Sequence, residues 1–324
     1  MEKKYFVSVD AGGSSSAALM FDENLSLAGE GFGGGVNTNQ GYAKRQAAAN
    51  FSACLRGLFS ITKPYSIDTV FFVFIGRQDI FFDIFSKHAP VKNFCPLGET
   101  EACLLAGTLE KKGIVAMSGT GSVAGFADIE NKRGERIGGW GPVLGDQGSG
   151  GWIGREVLTA AVAAFEGWGE QTTLLPLLLD EWKLANPHGF IGFIHGGKTP
   201  YGKIAALAKI AGLAAADRDA VALHILSEAG SRMAEQTSQL ISRGGQEYFS
   251  LPVVCCGGAW KTHPVMYETF RTALQKKYPQ TRVKKPMYEN AAAGPVKFLL
   301  DSGSTKDEAE KIMAANFSKY KSAW

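Results

Sequence analysis

The sequence predicts an α/β protein with two domains. Its length of 324 residues exceeds that of a typical single domain, which has about 100–200 residues. A pattern of strand, glycine loop, strand, turn and strand occurs twice, once around Gly12 and again around Gly119. The stretches between and after these copies mostly carry apolar residues at helical spacing. The sequence therefore predicts that one arrangement of strands and helices occurs twice in the chain.

The first copy begins at the N-terminus. Alternating or continuous β-forming residues predict strands, Asp22-Glu23-Asn24 predicts a hairpin turn, and apolar residues three or four positions apart predict helices. In chain order the predicted elements are strands at 5–9, 17–21 and 25–31, a helix at 41–59, a buried parallel strand at 69–75 and a helix at 99–110.

The second copy places the start of a second domain near residue 113. Strands are predicted at 113–117, 123–129 and 135–138, with a glycine loop at 118–122 and a turn at 130–134. The remainder is mostly helical, with late strands at 252–256 and 282–284. The predicted helices are 151–166, 171–185, 202–215, 218–243, 262–277, 290–301 and 305–320.

Composition excludes several classes of protein. The 34 basic and 31 acidic residues give a net charge of +3, and no basic run suggests nucleic-acid binding. Apolar runs are shorter than the roughly 20 residues of a membrane-spanning helix, and the N-terminus does not resemble a signal peptide. We therefore expect a cytoplasmic protein without nucleic-acid or membrane partners. The five cysteines include no Cys-x-x-Cys pair and indicate reduced, mostly buried thiols.

The first glycine loop is Asp10-Ala11-Gly12-Gly13-Ser14-Ser15-Ser16. Backbone N–H groups and serine hydroxyls can donate hydrogen bonds to a polyphosphate, and an aspartate can hold hydrated Mg²⁺. An ordinary hairpin turn is an equally good interpretation of this stretch alone, because glycine and serine are common in turns. The spacing of a Walker loop is absent.

The second glycine loop is Ser118-Gly119-Thr120-Gly121-Ser122. It belongs to a formal G-x-G-x-x-A sequence after a strand, which invites a dinucleotide-binding interpretation. That interpretation requires a helix next, whereas residues 123–129 favour a strand followed by a turn. A second phosphate-binding hairpin fits better.

The most specific segment runs from Gly138 to Glu156 and contains Gly-Gly-Trp-Gly and Gly-Asp-Gln-Gly-Ser. Ser149 is placed to cap the following helix, and the alternative for Asp146 is a structural turn residue. Two weaker segments are the strand-to-helix turn at Gly257-Gly258-Ala259, open to a nucleoside, and the loop from Gly34 to Asn39, whose amides suit sugar hydroxyls. For each of these two, an ordinary turn or polar loop stays open.

Glu99 and Glu101 open the helix that precedes the second glycine loop. Phosphoryl transfer to a hydroxyl requires positioning, charge neutralisation and a proton acceptor, and a carboxylate can supply the last of these. The alternative is helix capping, because acids are stabilised in the first turn of a helix.

Together, and in this order, the motifs resemble the N-acetylglucosamine kinase family of the sugar kinase/actin/heat-shock ATPase superfamily, whose relatives include activator ATPases of benzoyl-CoA reductase. The resemblance implies two actin-like (ribonuclease H-like) domains, each with a mixed β-sheet flanked by helices, and an ATP cleft between them. It implies a first domain of residues 1–113 plus 304–324, where the last helix returns, and a second domain of residues 114–303.

The resemblance also implies phosphorylation of an amino sugar with ATP and Mg²⁺, and it leaves a homodimer open. Glu99 stands at the position of the catalytic base, and Asp10 would hold Mg²⁺ through water. The implied phosphate and ATP ligands are Asp10, Gly12, Gly13, Ser14, Ser15, Ser16, Gly119, Thr120, Gly121, Gly257, Gly258 and Ala259. The implied sugar ligands are Asn37, Thr120, Gly141 and Asp146.

The chain departs from the family at three places. Gly98-Glu99-Thr100-Glu101 stands where the family usually has Asn-Asp, Ser15 replaces a frequent lysine, and Gln147 replaces a glutamate. Glutamate is one methylene longer than aspartate, and a displacement of about 1 Å can cost about 100-fold in rate. Glu101 and Asp146 therefore stay open as alternative bases. Two other functions also stay open, namely a non-catalytic sugar- or nucleotide-binding regulator and an ATP-driven activator of a redox enzyme.

Overall fold

The computed structural model describes residues 3–38, 43–196 and 201–324. The strands in these ranges are β1 (Tyr5–Ala11), β2 (Ser15–Asp22), β3 (Leu27–Gly34), β4 (Ile67–Phe74), β5 (Val91–Pro96), β6 (Lys112–Ser118), β7 (Ser122–Asp128), β8 (Arg133–Gly138), β9 (Pro252–Cys256) and β10 (Arg282–Lys284). The α-helices are α1 (Lys44–Leu58), α2 (Gln78–Phe85), α3 (Glu99–Thr108), α4 (Gly141–Leu144), α5 (Gly150–Glu166), α6 (Leu174–Glu181), α7 (Gly189–His195), α8 (Tyr201–Ala206), α9 (Ala208–Ala216), α10 (Ala220–Gly244), α11 (Pro264–Lys277), α12 (Ala293–Asp301) and α13 (Lys306–Asn316).

The first sheet has the strand order β3-β2-β1-β4-β5 and is mixed. β1 pairs antiparallel with β2 and parallel with β4, so that Asp10 lies opposite Ala17 on one side and Val73 on the other. Both faces of β1 are covered: Val7 and Val9 belong to a core with α1, while Phe6 belongs to a second core with α3 and α12. Coverage on both faces explains why the central strands are almost continuously apolar.

The second sheet repeats this order as β8-β7-β6-β9-β10. β6 and β9 pair in parallel with Met117 opposite Cys256, as β1 and β4 do in the first sheet. The predicted α/β class and the predicted duplication of architecture are therefore confirmed. Each glycine loop follows the central strand of its own sheet, at the carboxyl end.

Several elements differ from the sequence prediction. The helix α2 and the edge strand β5 were not predicted, and the expected helix at 202–215 is divided between α8 and α9. The expected helix at 171–185 is limited to α6, and the expected helix at 41–59 is described from Lys44 onward. Residues 41 and 42, together with Asn39 of the polar loop, lie outside the described residues.

Contacts within the chain divide it into two compact units. Unit 1 comprises Met1–Lys112, Ala127–Asn131 and Lys285–Trp324, and unit 2 comprises Gly113–Phe126 and Lys132–Lys284. Residues 285–303 therefore pack with unit 1, whereas the expected division assigned them to the second domain. The reason is α12, where the Gly294 N–H donates to Ser8 Oγ of β1 at 3.0 Å.

Two further observations concern the predicted state of the cysteines and the predicted lack of membrane-spanning helices. The five cysteines, all of which lie in the described ranges, form no disulfide; four of them are buried and Cys95 is half-buried. Across the part of the chain that the structure describes, no helix combines the length and the apolar character needed to cross a membrane.

Candidate active site

The first glycine loop lies in unit 1 and connects β1 to β2. The Gly12 N–H donates to Ser15 O at 2.9 Å and closes the turn, while Gly12 O accepts from Val36 N at 2.9 Å. Ser14 and Ser15 are exposed at the tip of the turn. Ser16 is buried and donates its hydroxyl to Gly34 O at 3.1 Å. Of the three serines predicted to bind phosphate, Ser16 thus has an intramolecular acceptor and a structural role.

Asp10 interacts electrostatically with two other carboxylates of unit 1. Asp10 lies near the end of β1, Glu99 is the first residue of α3, and Glu289 follows Tyr288 on the segment that leads to α12. Burial, and then the charge of Glu289, raises the pKa of Asp10 to about 6. Glu99 reaches solvent, yet desolvation by the surrounding protein and then the charge of Asp10 raise its pKa to about 7. The sequence prediction missed Glu289, which no local motif marks.

The two acids of the first turn of α3 have different roles. Glu101 Oε2 accepts a hydrogen bond from the backbone N–H of Gly98 at 2.8 Å, which caps the helix. Glu99 instead lies close enough to Asp10 for their charges to interact. The structure therefore favours helix capping for Glu101 and places Glu99 beside the first glycine loop.

Asn37, the predicted sugar ligand of unit 1, is buried just beyond β3. The glycines before it have a packing role that the sequence did not reveal. A Cβ at Gly31 would lie 1.9 Å from Cys54 O, and one at Gly33 would lie 2.3 Å from Asn50 O. Because α1 lies directly on β3, these positions exclude side chains.

The second glycine loop lies in unit 2 and is joined to the turn before α5. Ser118 Oγ donates to Gly148 O at 2.8 Å, and Ser122 Oγ donates to Gln147 O at 2.8 Å. The N–H groups at the start of α5 complete the connection: Gly150 N donates to Gly119 O at 2.8 Å, and Gly151 N donates to Thr120 O at 3.2 Å. The structure thus brings two separate motifs of the sequence into one surface.

Asp146 lies at the centre of this surface. It is buried, has a left-handed φ of 58°, and accepts a hydrogen bond from Ser122 N at 3.3 Å. Burial raises its pKa, and the N–H groups of Ser122 and Gly141 and the charge of Arg155 act in the opposite direction. A Cβ at Gly121 would lie 2.9 Å from Asp146 Oδ2, so the glycine leaves the space that this carboxylate occupies.

The third predicted motif joins the same unit. Gly257 has a φ of 109°, and a Cβ there would lie 2.3 Å from Ser118 O. Gly257 therefore allows the end of β9 to approach the second glycine loop. A Cβ at Gly258 would meet nothing within 4 Å, whereas Ala259 is buried. Within this motif Gly258 is the position most open to a ligand.

The predicted residues are thus distributed over both units. Unit 1 contains Asp10, the first glycine loop, Asn37 and Glu99, and unit 2 contains Thr120, Gly141, Asp146 and Gly258. The predicted residues of unit 1 include the two carboxylates Asp10 and Glu99. Backbone N–H groups and glycine turns around one carboxylate characterise those of unit 2.

The model of the BadF/BadG/BcrA/BcrD ATPase family matches residues 7–294. The chain belongs to this family. An N-acetylmuramic acid/N-acetylglucosamine kinase from Clostridium acetobutylicum is 25% identical over 301 residues, which cover 90% of this chain and 97% of the relative. An N-acetyl-D-glucosamine kinase from Dictyostelium discoideum is 29% identical over 196 residues, covering 59% of this chain and 60% of the relative.

Similar proteins of known structure establish the fold of this ATPase family member. A provisionally named N-acetylglucosamine kinase from Chromobacterium violaceum has a TM-score of 0.67 at 21% identity, covering 91% of this chain and 99% of its own. A ROK family glucokinase from Streptomyces griseus, solved with glucose and AMPPNP, has a TM-score of 0.54 at 15% identity, covering 91% and 97%. The family resemblance drawn from the motifs and the expected sugar-kinase fold are therefore confirmed.

Proposed function

We propose that this protein is an ATP-dependent kinase that phosphorylates a hydroxyl of N-acetylglucosamine or a related amino sugar. The observation that carries the proposal is the buried Asp146 carboxylate beside the second glycine loop, held by backbone N–H groups. A fixed carboxylate is a strong acceptor for sugar hydroxyls. The similar kinases from Clostridium acetobutylicum and Dictyostelium discoideum support an amino sugar as the acceptor.

Both glycine loops would bind ATP. In the first loop the exposed Ser14 and Ser15 and the backbone of Gly12 and Gly13 would donate to phosphate oxygens. In the second loop residues 119–121 would do the same, and the open face of Gly258 would accommodate the nucleoside. Membership in an ATPase family supports the choice of nucleotide.

Asp10 would hold Mg²⁺ through water. Burial, and then the charge of Glu289, disfavour the ionised form of Asp10 and raise its pKa, and a nearby divalent cation would favour the ionised form. Over the described ranges, no three His, Cys, Asp or Glu side chains are placed to bind one ion directly. This arrangement fits Mg²⁺, which usually keeps several waters and takes further ligands from phosphate oxygens. When bound, the ion would neutralise charge on the phosphates.

Glu99 would accept the proton of the sugar hydroxyl as the γ-phosphoryl group transfers. A general base works best when its pKa lies near the working pH, and the environment of Glu99 raises its pKa to about 7. Asn37, Thr120, Gly141 and Asp146 would orient the sugar. Glu99 would thus take the role that an aspartate has in the resembling family.

The proposal is tested by ADP release in the presence of N-acetylglucosamine, N-acetylmuramate, glucosamine and glucose. We expect release with at least one amino sugar, and a loss of about 100-fold in kcat/KM for Asp146→Asn. Asp128→Asn is the control, because Asp128 is also buried but pairs with Asn131 and Lys112. Sugar binding without ADP release would contradict the kinase and indicate a regulator.

A further inference from the structure

Helix α8 lies directly on the first turns of α5. A Cβ at Gly154 would lie 2.0 Å from Ile204 O, and one at Gly150 would lie 3.1 Å from Ala205 O. At Gly151 a Cβ would lie 1.9 Å from the Oη of Tyr201. These three glycines of the segment after Asp146 therefore provide the surface that receives α8, and Gly151 in particular admits the phenol of Tyr201.

The hydroxyl of Tyr201 is enclosed in this surface. Its Oη is buried and meets no hydrogen-bond partner of suitable geometry among the described residues. Burial, and then the charge of Asp146, raise the pKa of Tyr201. A side-chain contact with the Ser149 hydroxyl, which falls short of hydrogen-bond geometry, and the charge of Arg155 oppose the rise. The hydroxyl thus lies among the groups that surround Asp146, at the start of α5.

A buried donor without a partner is unfavourable, and most such groups in folded proteins are paired. Replacement by phenylalanine would remove the donor and keep the packing against Gly151. The phenol is therefore best explained by a partner that arrives with a ligand. Structural rules of this kind are most often broken at functional sites.

The chemistry of Asp146 indicates what that ligand offers. An ionised carboxylate only accepts hydrogen bonds, whereas a sugar hydroxyl both donates and accepts. A hydroxyl that donates to Asp146 still has an oxygen that requires a donor. A phenol O–H supplies one, and enclosure away from water strengthens such a bond.

We propose that Tyr201 is a further substrate-binding residue. Its O–H would donate a hydrogen bond to the amino-sugar oxygen that Asp146 binds, or to the polar atom next to that oxygen on the sugar. This assignment rests on the proposed kinase function and extends its acceptor site to α8. The ligand class is a polyol or acylamino sugar with adjacent polar groups. Nothing in the local sequence around Tyr201 marks it for this role.

Tyr248 provides a matched control. It lies in the same unit, its hydroxyl is also buried without a hydrogen-bond partner among the described residues, and its ring stacks on Phe126 with centroids 4.2 Å apart. It belongs to the turn after α10, outside the segments that form the candidate site. A general effect of removing a buried phenol O–H would appear in both variants.

The experiment measures sugar KM, kcat and thermal stability, with and without sugar, for wild type, Tyr201→Phe and Tyr248→Phe. We expect Tyr201→Phe to raise the sugar KM about tenfold, as one hydrogen bond predicts. The kcat should stay close to wild type, and the sugar-free Tm should equal or exceed that of wild type, because the variant removes an unpaired buried donor. Tyr248→Phe should leave the KM unchanged. Gly151→Ala, whose Cβ would displace the phenol, should raise the KM as well.

The outcomes separate the two proposals. Active wild type with an unchanged KM in Tyr201→Phe would overturn the assignment of Tyr201 and leave the kinase intact. An equal rise in Tyr248→Phe would also overturn it, because the effect would not be local. Wild type that neither binds nor phosphorylates any amino sugar would overturn the kinase and, with it, this extension.

Discussion

The two glycine loops occupy corresponding places in their sheets but are held differently. The loop after β1 closes on itself through Gly12 and exposes Ser14 and Ser15 to solvent. The loop after β6 is joined to residues 146–151 through side-chain and backbone hydrogen bonds. The duplicated strand order has therefore been kept while the attachment of the loop has diverged.

The carboxylates diverge in the same way. Beside the first loop, burial and the charge of Glu289 raise the pKa of Asp10, and burial and the charge of Asp10 raise the pKa of Glu99, which favours binding of a cation or a proton. Beside the second loop, Asp146 accepts backbone hydrogen bonds, which favours a fixed acceptor for a neutral polar ligand. The proposed function therefore assigns charge neutralisation and proton transfer to unit 1 and a preorganised binding surface to unit 2.

The largest expected effect is a loss of kcat on substitution of Glu99, the acid in unit 1 that interacts with Asp10. Glu99→Gln keeps the shape of the side chain but cannot accept a proton, so kcat should fall by a factor of roughly 100 to 10,000. Sugar binding should persist, since Asp146 is unchanged. Steady-state ADP release and equilibrium sugar binding measure the two quantities separately.

Glu101→Gln is the matched control for this prediction. Glutamine also serves in a capping box, so the bond from Gly98 can be kept and kcat should stay near the wild-type value. The kcat/KM of wild type should rise with pH through about 7, as Glu99 ionises. A loss of activity in Glu101→Gln with full activity in Glu99→Gln would reverse the assignment.

A smaller effect should distinguish the two loops directly. In Gly121→Ala the new methyl would lie 2.9 Å from Asp146 Oδ2 and displace that carboxylate, so the sugar KM should rise about tenfold or more. In Gly12→Ala the nearest atom to the new methyl would be Ser15 O, 4.0 Å away, and the sugar KM should stay unchanged. Equal effects on sugar KM in both variants would contradict the proposed division between the loops.

Local signals explain what the sequence could predict. Glycine turns and alternating β-forming residues are local signals, so the sequence alone predicts the two hairpins and their loops. The edge strand β5 was missed because Lys92 and Asn93 interrupt its apolar pattern, and α2 because eight residues give little periodicity. The roles of Asp10, Glu99 and Asp146 as ligands or base still rest on the proposal.

Long-range packing explains which features the sequence could not predict. Glu289 influences Asp10 because α12 packs on β1, and Tyr201 reaches the start of α5 because Gly151 leaves space for it. Neither residue lies near a motif in the sequence. Likewise, Gly31 and Gly33 serve the packing of α1, a function that composition alone cannot separate from ligand binding.

The last expected effect concerns protein stability and its dependence on pH, and it should leave the sugar KM comparison between the loops untouched. The pKa of Asp10 is about 6 in the folded protein, above its value of about 4 in an unfolded chain. The folded state therefore binds this proton more tightly, so the contribution of Asp10 to the free energy of unfolding decreases as pH rises from about 4 to about 6. Asp10→Asn should match wild type at pH 4 and exceed it by up to about 3 kcal/mol at pH 7, because each pKa unit corresponds to about 1.4 kcal/mol.

Asp219→Asn in unit 2 should show the opposite sign. Burial alone would raise the pKa of Asp219, but hydrogen bonds from Ala222, Thr173 and Thr172 lower it. The ionised form stabilises the fold, so the variant should be less stable than wild type at pH 7, with a difference that shrinks as pH falls through the folded pKa. Urea unfolding at several pH values measures both differences. A gain in Asp10→Asn that is equal at pH 4 and pH 7 would point to packing instead of charge, because a protonated carboxyl carries no charge to relieve.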